Sequence, residues 1–321
     1  MKNEVITSKQ PLVTIGIVTY NRPYTLRKTV ESVINQSYKS LEILISDDCS
    51  PGEETEKIIN EFIKKDSRVK YIKHKERNNA TYNFNYVSKA ASGDYFMWLC
   101  DDDWIDFNYI ENCLKELMKN PEYLLICGKT KFYRGEQFAY EINKINVSEN
   151  NSLNRVLSFY NQVMGSGNTP NFGLIKSSII KDMPLRNILG NDYILSANIA
   201  FMGKIKTLDN ISIHRNLGGI SENIKKIALT YKLSLFNVYF PFVSIWLNIV
   251  KDLICQSAIL TKVSITIRIV LAIKFTFNSA LNLDRFISLY RMRFKNNADK
   301  KLSVEPLRVS FFRKLKFRKA S

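Results

Sequence analysis

Three short runs constrain this chain more than anything else in it: LVTIGIVT at 12–19, LEILIS at 41–46 and DYFMWL at 94–99. Each is almost wholly apolar, with no alternation of inward and outward residues, as expected of strands covered on both faces in a parallel sheet. Each then runs straight into polar residues: Thr19-Tyr20-Asn21-Arg22, Asp47-Asp48-Cys49-Ser50 and Cys100-Asp101-Asp102-Asp103. Between the strands, Leu26, Val30, Val33 and Ile34 recur at helical spacing over 25–36 with Thr25 as N-cap. Further helices are expected over 53–65 and 81–91, and a short strand over 69–73. Alternating strands and helices predict an α/β fold, Rossmann-like, with a mostly parallel sheet flanked by helices. In such open sheets ligands bind beyond the C-terminal strand ends, so three strand ends deliver their polar residues to one crevice. The first strand-helix turn lacks GxGxxG, which disfavours a dinucleotide-binding domain.

After Asn120-Pro121 the pattern is less regular. Strand-like segments lie near 123–133, a polar stretch at 143–154, and a helix at about 153–163. GSGNTPNFG at 165–173 reads as loop, 188–202 as a helix with Asn191-Asp192 near its start, and 204–214 as an extended return.

The carboxylates carry the chemistry. Three adjacent Asp at 101–103 would repel one another if buried without a cation. They read either as a solvated turn capping a helix over 104–118 or as a site for a hard divalent ion, Mn2+ or Mg2+. A metal with so few protein ligands completes its shell with phosphate oxygens, which implies a nucleotide diphosphate. Asp47-Asp48 are either ordinary turn formers or acceptors for a base or ribose, with Tyr20 as a stacking face. Five Cys without a CxxC, and only His74 and His214, argue against zinc and a disulfide framework.

Apolar residues at 45% and aromatics at 12% exclude a disordered chain. The opening MKNEVITSKQPLV has no apolar signal core, so a cytoplasmic location is expected. The net charge of +17 is unevenly placed. Residues 1–224 hold 28 basic and 26 acidic side chains, whereas 225–321 hold 19 and 4. The chain therefore divides into a near-neutral body, 1–224, and a basic, mainly helical segment, 225–321. Within that segment the 18 uncharged residues from Leu233 to Val250 include Asn237, Pro241 and Asn248, a poor membrane span. Lys262, Arg268 and Lys274 interleaved with aliphatic residues, and the closing VSFFRKLKFRKAS, suit helices lying on an anionic membrane surface. A helical subdomain with a solvated basic face is the alternative. Nucleic acid is disfavoured, because nothing resembles a nucleic-acid module and the apolar density exceeds what a phosphate-binding arm needs.

The run PLVTIGIVTYNRPYTLRKTVESVINQSYKSLEILISDDCS resembles the N-terminal signature of family 2 glycosyltransferases, which have the GT-A fold. KAASGDYFMWLCDDDW is similar to that family's strand and DxD-type metal motif, with Cys100 where the commoner D-x-D-D has its first Asp. The resemblance covers about 11–221. It implies that Thr19, Tyr20, Asn21 and Arg22 line a nucleotide pocket and that Asp48 reads uracil. It further implies that Asp101 contacts ribose or supports the metal, that Asp102 binds Mn2+ or Mg2+, and that Asp192 is the general base of an inverting transfer. IHRNLGGIS at 213–221 resembles the family's closing loop, with Asn216 where a His is common and His214 or Arg215 toward the diphosphate. The expected partners are a nucleotide-sugar donor, a glycan or polyprenyl-linked acceptor of bacterial surface polysaccharide synthesis, and an anionic membrane on the inner face of the cytoplasmic membrane. A non-catalytic nucleotide-sugar-binding homologue and a basic membrane or nucleic-acid adaptor are the alternatives.

Overall fold

A computed structural model of the chain describes residues 10–163, 170–217 and 224–281. Residues 165–169 of the glycine-rich loop, the GGIS end of the closing loop at 218–221 and the segment VSFFRKLKFRKAS lie outside the described residues. In chain order the elements are β1 (Val13–Thr19), α1 (Pro23–Ile34), β2 (Leu41–Asp47), α2 (Glu54–Lys65), β3 (Val69–Lys73), α3 (Ala80–Ala90) and β4 (Tyr95–Cys100). Next come β5 (Asp103–Ile105), α4 (Tyr109–Lys119), β6 (Tyr123–Arg134), β7 (Gln137–Glu141), α5 (Ser152–Val163), β8 (Leu174–Lys176) and α6 (Ser177–Asp182). They are followed by α7 (Asn191–Met202), β9 (Lys204–Asn216), α8 (Ile224–Thr230), α9 (Leu235–Tyr239), α10 (Pro241–Lys251) and α11 (Ile265–Leu281).

The sheet runs β3-β2-β1-β4-β8-β6-β9-β5, with β7 hairpinned on β6. β3, β2, β1 and β4 are mutually parallel, β8 is antiparallel to β4 and β6, β9 is parallel to β6, and β5 is antiparallel to β9. This is the mostly parallel α/β architecture expected. Every residue of β1 and β2 is buried, because helices cover both faces. Val13, Ile15 and Ile17 face Leu26, Val30, Ile59, Phe62 and Ile110 of α1, α2 and α4. On the other face, Val18, Phe96 and Trp98 meet a core built from α3, α5 and α7.

That second core also takes in the basic segment. Ile245, Ile249, Leu253, Leu271 and Phe275 are buried with Phe159, Tyr160, Leu195 and Ile199. A polar clasp reinforces the joint: Arg186 donates to the buried Asp252 at 2.5 Å, Asn198 donates to Asp252 at 3.2 Å, and Ser257 donates to Asn198 at 2.5 Å. The boundary at 224/225 is thus a change in charge that the apolar core crosses. The uncharged stretch 233–250 is broken at Phe240-Pro241 into α9 and α10. Among the described residues no helix is long and apolar enough to cross a membrane.

Two local expectations are corrected. α1 begins at Pro23 and not behind a Thr25 cap, because proline's fixed φ suits the first helical turn and Thr25 instead donates to the Arg22 carbonyl. The helix expected over 104–118 begins at Tyr109, since Asp103–Ile105 are taken as a strand by residues 213–215. Asp106 ends that strand by accepting from the Ser212 amide at 2.7 Å, and its own amide donates to the Ser212 carbonyl.

Candidate active site

The site is assembled where β1, β2 and β4 end. β1 leaves the sheet through Asn21, whose left-handed φ of 54° asparagine tolerates better than most residues. The Asn21 amide donates to Ser50 Oγ at 2.7 Å, tying the first loop to the second. Neighbouring aspartates in that second loop are used differently. Asp47 is fully enclosed, accepting from Ser50 N and Oγ and, through its other oxygen, from Tyr71 Oη at 2.8 Å. It shapes the loop. Asp48 accepts from the Asn78 amide at 2.9 Å, and burial raises its pKa despite the nearby His74 and Arg77. The Arg77 guanidinium lies 4.1 Å from the centre of the Tyr20 ring, and its charge also acts on Asp48.

β4 delivers the acidic run. Asp101 turns toward β1, accepting from Thr19 Oγ1 at 2.8 Å, Tyr20 N at 3.3 Å and Arg22 Nη1 at 3.4 Å. Burial, with Asp102 adding repulsion, still raises it to about 7. Arg22 also pairs with Asp102 and is held above its ordinary pKa because Asp101 and Asp102 outweigh the cost of its burial. Asp103 faces the other way, onto Arg215 Nε at 3.1 Å, and burial raises it too.

Ligand atoms of Cys100, Asp102 and Asp103 all lie within 4.8 Å of one another. Beside them Asn216 donates through Nδ2 to the Asp102 carbonyl at 3.0 Å, while its buried Oδ1 has no hydrogen-bond partner among the described residues. Burial, then the carboxylates of Asp103 and Asp102, push the Cys100 thiol well up, so it stays neutral and binds hard ions poorly. Two carboxylates and an orphaned amide oxygen do fit a hard divalent cation.

Asp192 stands at the second position of α7, following Gly190 at φ 80°. A Cβ at Gly190 would lie 3.0 Å from Ile245 of α10, so glycine is needed there for space as well as for φ. Asp192 is half-buried, and both it and Cys100 act on the buried Tyr231 phenol, whose pKa is raised by burial and then by those two groups. His214 is occupied within the fold: Nε2 lies 2.7 Å from Asp106, Nδ1 3.2 Å from Tyr133, and its ring stacks on Trp104 at 5.2 Å. Arg77, Asn78 and Tyr231 did not stand out in the sequence, since each lies in a polar or ordinary segment with no motif. Arg215 and Asn216 were visible only as members of the closing loop.

Residues 14–182, just over half of the chain, match the model of the family described as glycosyl transferase family 2. Among curated relatives, the GalNAc(5)-diNAcBac-PP-undecaprenol beta-1,3-glucosyltransferase of Campylobacter jejuni is 31% identical over 121 residues, 37% of this chain and 38% of the relative. The UDP-Glc:alpha-D-GlcNAc-diphosphoundecaprenol beta-1,3-glucosyltransferase WfaP of Escherichia coli is 42% identical over 93 residues, 29% and 36% of the two chains. These matches span well under half of the relatives' lengths. Among solved structures, S. aureus TarS 1-349 in complex with UDP-GlcNAc superposes with a TM-score of 0.62 over 90% of this chain and 76% of that one, at 15% identity. The shared fold is GT-A.

Proposed function

The chain belongs to glycosyl transferase family 2, and from that premise we propose a metal-dependent, inverting transfer of a sugar from a UDP-linked donor to a polyprenyl-diphosphate-linked glycan, in bacterial surface polysaccharide synthesis. The observation that carries this reading is the convergence of Thr19–Arg22, Asp48 and Asp101–Asp103 at three adjacent strand ends, tied to one another by hydrogen bonds. The UDP-GlcNAc held by TarS and the lipid-linked acceptors in the names of the two relatives support the choice of substrates.

In this reading uracil stacks on Tyr20 and its N3–H is accepted by Asp48, while Asp101 holds Thr19, Tyr20 and Arg22 in register for the nucleoside. Asp102 and Asp103, with Asn216 Oδ1, would hold Mn2+ or Mg2+, which when bound offsets charge on the donor diphosphate. Arg22 and Arg215 keep the acidic run from repelling itself. Asp192 removes the proton from the acceptor hydroxyl as its oxygen bonds to the anomeric carbon. The bond from that carbon to the diphosphate oxygen breaks on the opposite face, UDP leaves with the electron pair, and configuration inverts. The basic segment 225–321 keeps the enzyme peripheral on the inner face of the cytoplasmic membrane, where its acceptor is presented.

The test is transfer from a panel of labelled UDP-sugars, with Mn2+, to a polyprenyl-diphosphate monosaccharide, alongside UDP binding by calorimetry. Transfer with anomeric inversion is expected. Absence of both transfer and UDP binding would overturn the reading.

A further inference from the structure

The C-terminal helices have an unusual outer surface. α9 buries none of its five residues, and Leu235, Phe236, Tyr239 and Phe240 are 47–70% exposed. A soluble helix normally turns polar residues outward, so four large apolar side chains there lack their ordinary surroundings. The inner face of the neighbouring α10 is conventional, with Ile245 and Ile249 in the core. The apolar patch is therefore an addition to a packed subdomain and not a consequence of loose packing.

Charge identifies what covers it. Residues 225–281 contain seven Lys or Arg and one acidic residue, Asp252, which is buried against Arg186. Lys225 in the first turn of α8 and Lys232 between α8 and α9 are both exposed. Exposed aromatic and aliphatic side chains close in sequence to exposed lysines, with no exposed carboxylate within residues 225–281, suit the headgroup region of an anionic bilayer.

Position gives the patch a role. Tyr231, four residues before α9, accepts at its carbonyl from the side-chain amide of Asn187 at 3.1 Å, five residues ahead of Asp192. On the other side of the patch, Asn248 of α10 donates to the Leu189 carbonyl at 3.0 Å, in the loop that leads into the Asp192 helix. The chain before and after α9 is thus tied, at Tyr231 and Asn248, to the loop that leads into the candidate base.

We infer that α9 and the start of α10 are the seat on which an anionic bilayer docks, so that a lipid-diphosphate acceptor reaches Asp192 from the membrane surface. The docking is independent of the activity, while its use for acceptor delivery rests on the lipid-linked reading above.

The experiment uses the full chain, sedimented with vesicles of phosphatidylglycerol or of phosphatidylcholine. Wild type is expected to bind the former. The triple variant Leu235→Ser, Phe236→Ser, Phe240→Ser removes three exposed side chains and is expected to weaken that binding about 100-fold, with melting unchanged. As a second variant, Lys225→Glu with Lys232→Glu is expected to weaken it about 10-fold in low salt. The triple variant should also raise KM for a vesicle-embedded acceptor while leaving KM for a short-chain, water-soluble analogue unaltered. Unchanged vesicle binding in both variants would overturn the inference, as would a triple variant that turns a dimer into a monomer and still binds vesicles. Loss of vesicle binding in a protein that transfers sugar to neither acceptor would uphold the seat and reject the proposed activity.

Discussion

Glu42 and Asp101 are both buried carboxylates on the parallel part of the sheet, and they stand at its opposite ends in opposite conditions. Glu42, at the start of β2, accepts from Thr14 Oγ1 at 2.6 Å, Lys70 Nζ at 2.7 Å and the Ser92 amide at 2.8 Å. Burial alone would raise it, but the bonds from Lys70, Thr14 and Ser92 bring it down to about 2. Asp101, at the end of β4, is raised to about 7 by burial and then by Asp102 beside it, and its bonds from Tyr20 and Arg22 are longer, at 3.3 and 3.4 Å. Asp48 and Asp103 at the same end are raised as well. One end of the sheet uses a carboxylate to bind strands together. The other accumulates carboxylates that the fold does not fully compensate, which is the condition for receiving a cation and a polyphosphate.

This contrast breaks if substitutions at the open end unfold the protein, or if those at the closed end disturb catalysis. The largest effect is expected from Asp192→Asn. Removing a general base costs about 10³-fold in kcat, and because the proposed mechanism assigns Asp192 to the acceptor and not to the nucleotide, UDP affinity measured by calorimetry should stay within twofold. Full activity in this variant would move the base elsewhere. Asp102→Asn should lower kcat/KM by about 10²-fold through loss of diphosphate stabilisation, with the melting temperature essentially unaltered. A large fall in melting temperature would make Asp102 a structural residue and weaken the contrast.

Glu42→Gln tests the closed end. With a folded pKa of about 2 against an ordinary 4.5, the carboxylate contributes about 3 kcal/mol that is fully present above pH 4.5 and is lost as pH falls toward 2. Denaturant unfolding at pH 7 should show the variant weaker by about that amount. The gap should close between pH 4.5 and pH 2, and UDP binding should be unaffected. A constant gap across that range would mean the loss comes from packing.

The parts of the site that the sequence made legible are those built on local rules. β1, β2 and β4 are uninterrupted apolar runs, and the polar residues after them could be read directly as loop ends. Asp47 and Asp48 show where such reading stops. They are adjacent and identical, and what sets the loop-shaping Asp47 apart from its neighbour is Tyr71, on another strand. The Asp103–Arg215 pair is likewise 112 residues apart, and β5 has only three residues, too few to show any period. Tyr231 meets Asn187, 44 residues away, which no spacing within its own segment encodes.

Arg77 gives the smallest effect and the sharpest test of that limit. It sits in the polar stretch after β3, yet its guanidinium covers the Tyr20 ring and its charge acts on Asp48. A cation in contact with an aromatic face contributes about 1 kcal/mol when partly exposed. It also supplies one positive charge near an anionic nucleotide. Arg77→Ala should therefore weaken UDP binding about 5- to 10-fold. The slope of affinity against salt should become shallower, because one fewer screened attraction is being lost as ionic strength rises. Tighter binding in Arg77→Ala would instead identify the guanidinium as an occupant of the base's own place, displaced when uracil stacks on Tyr20.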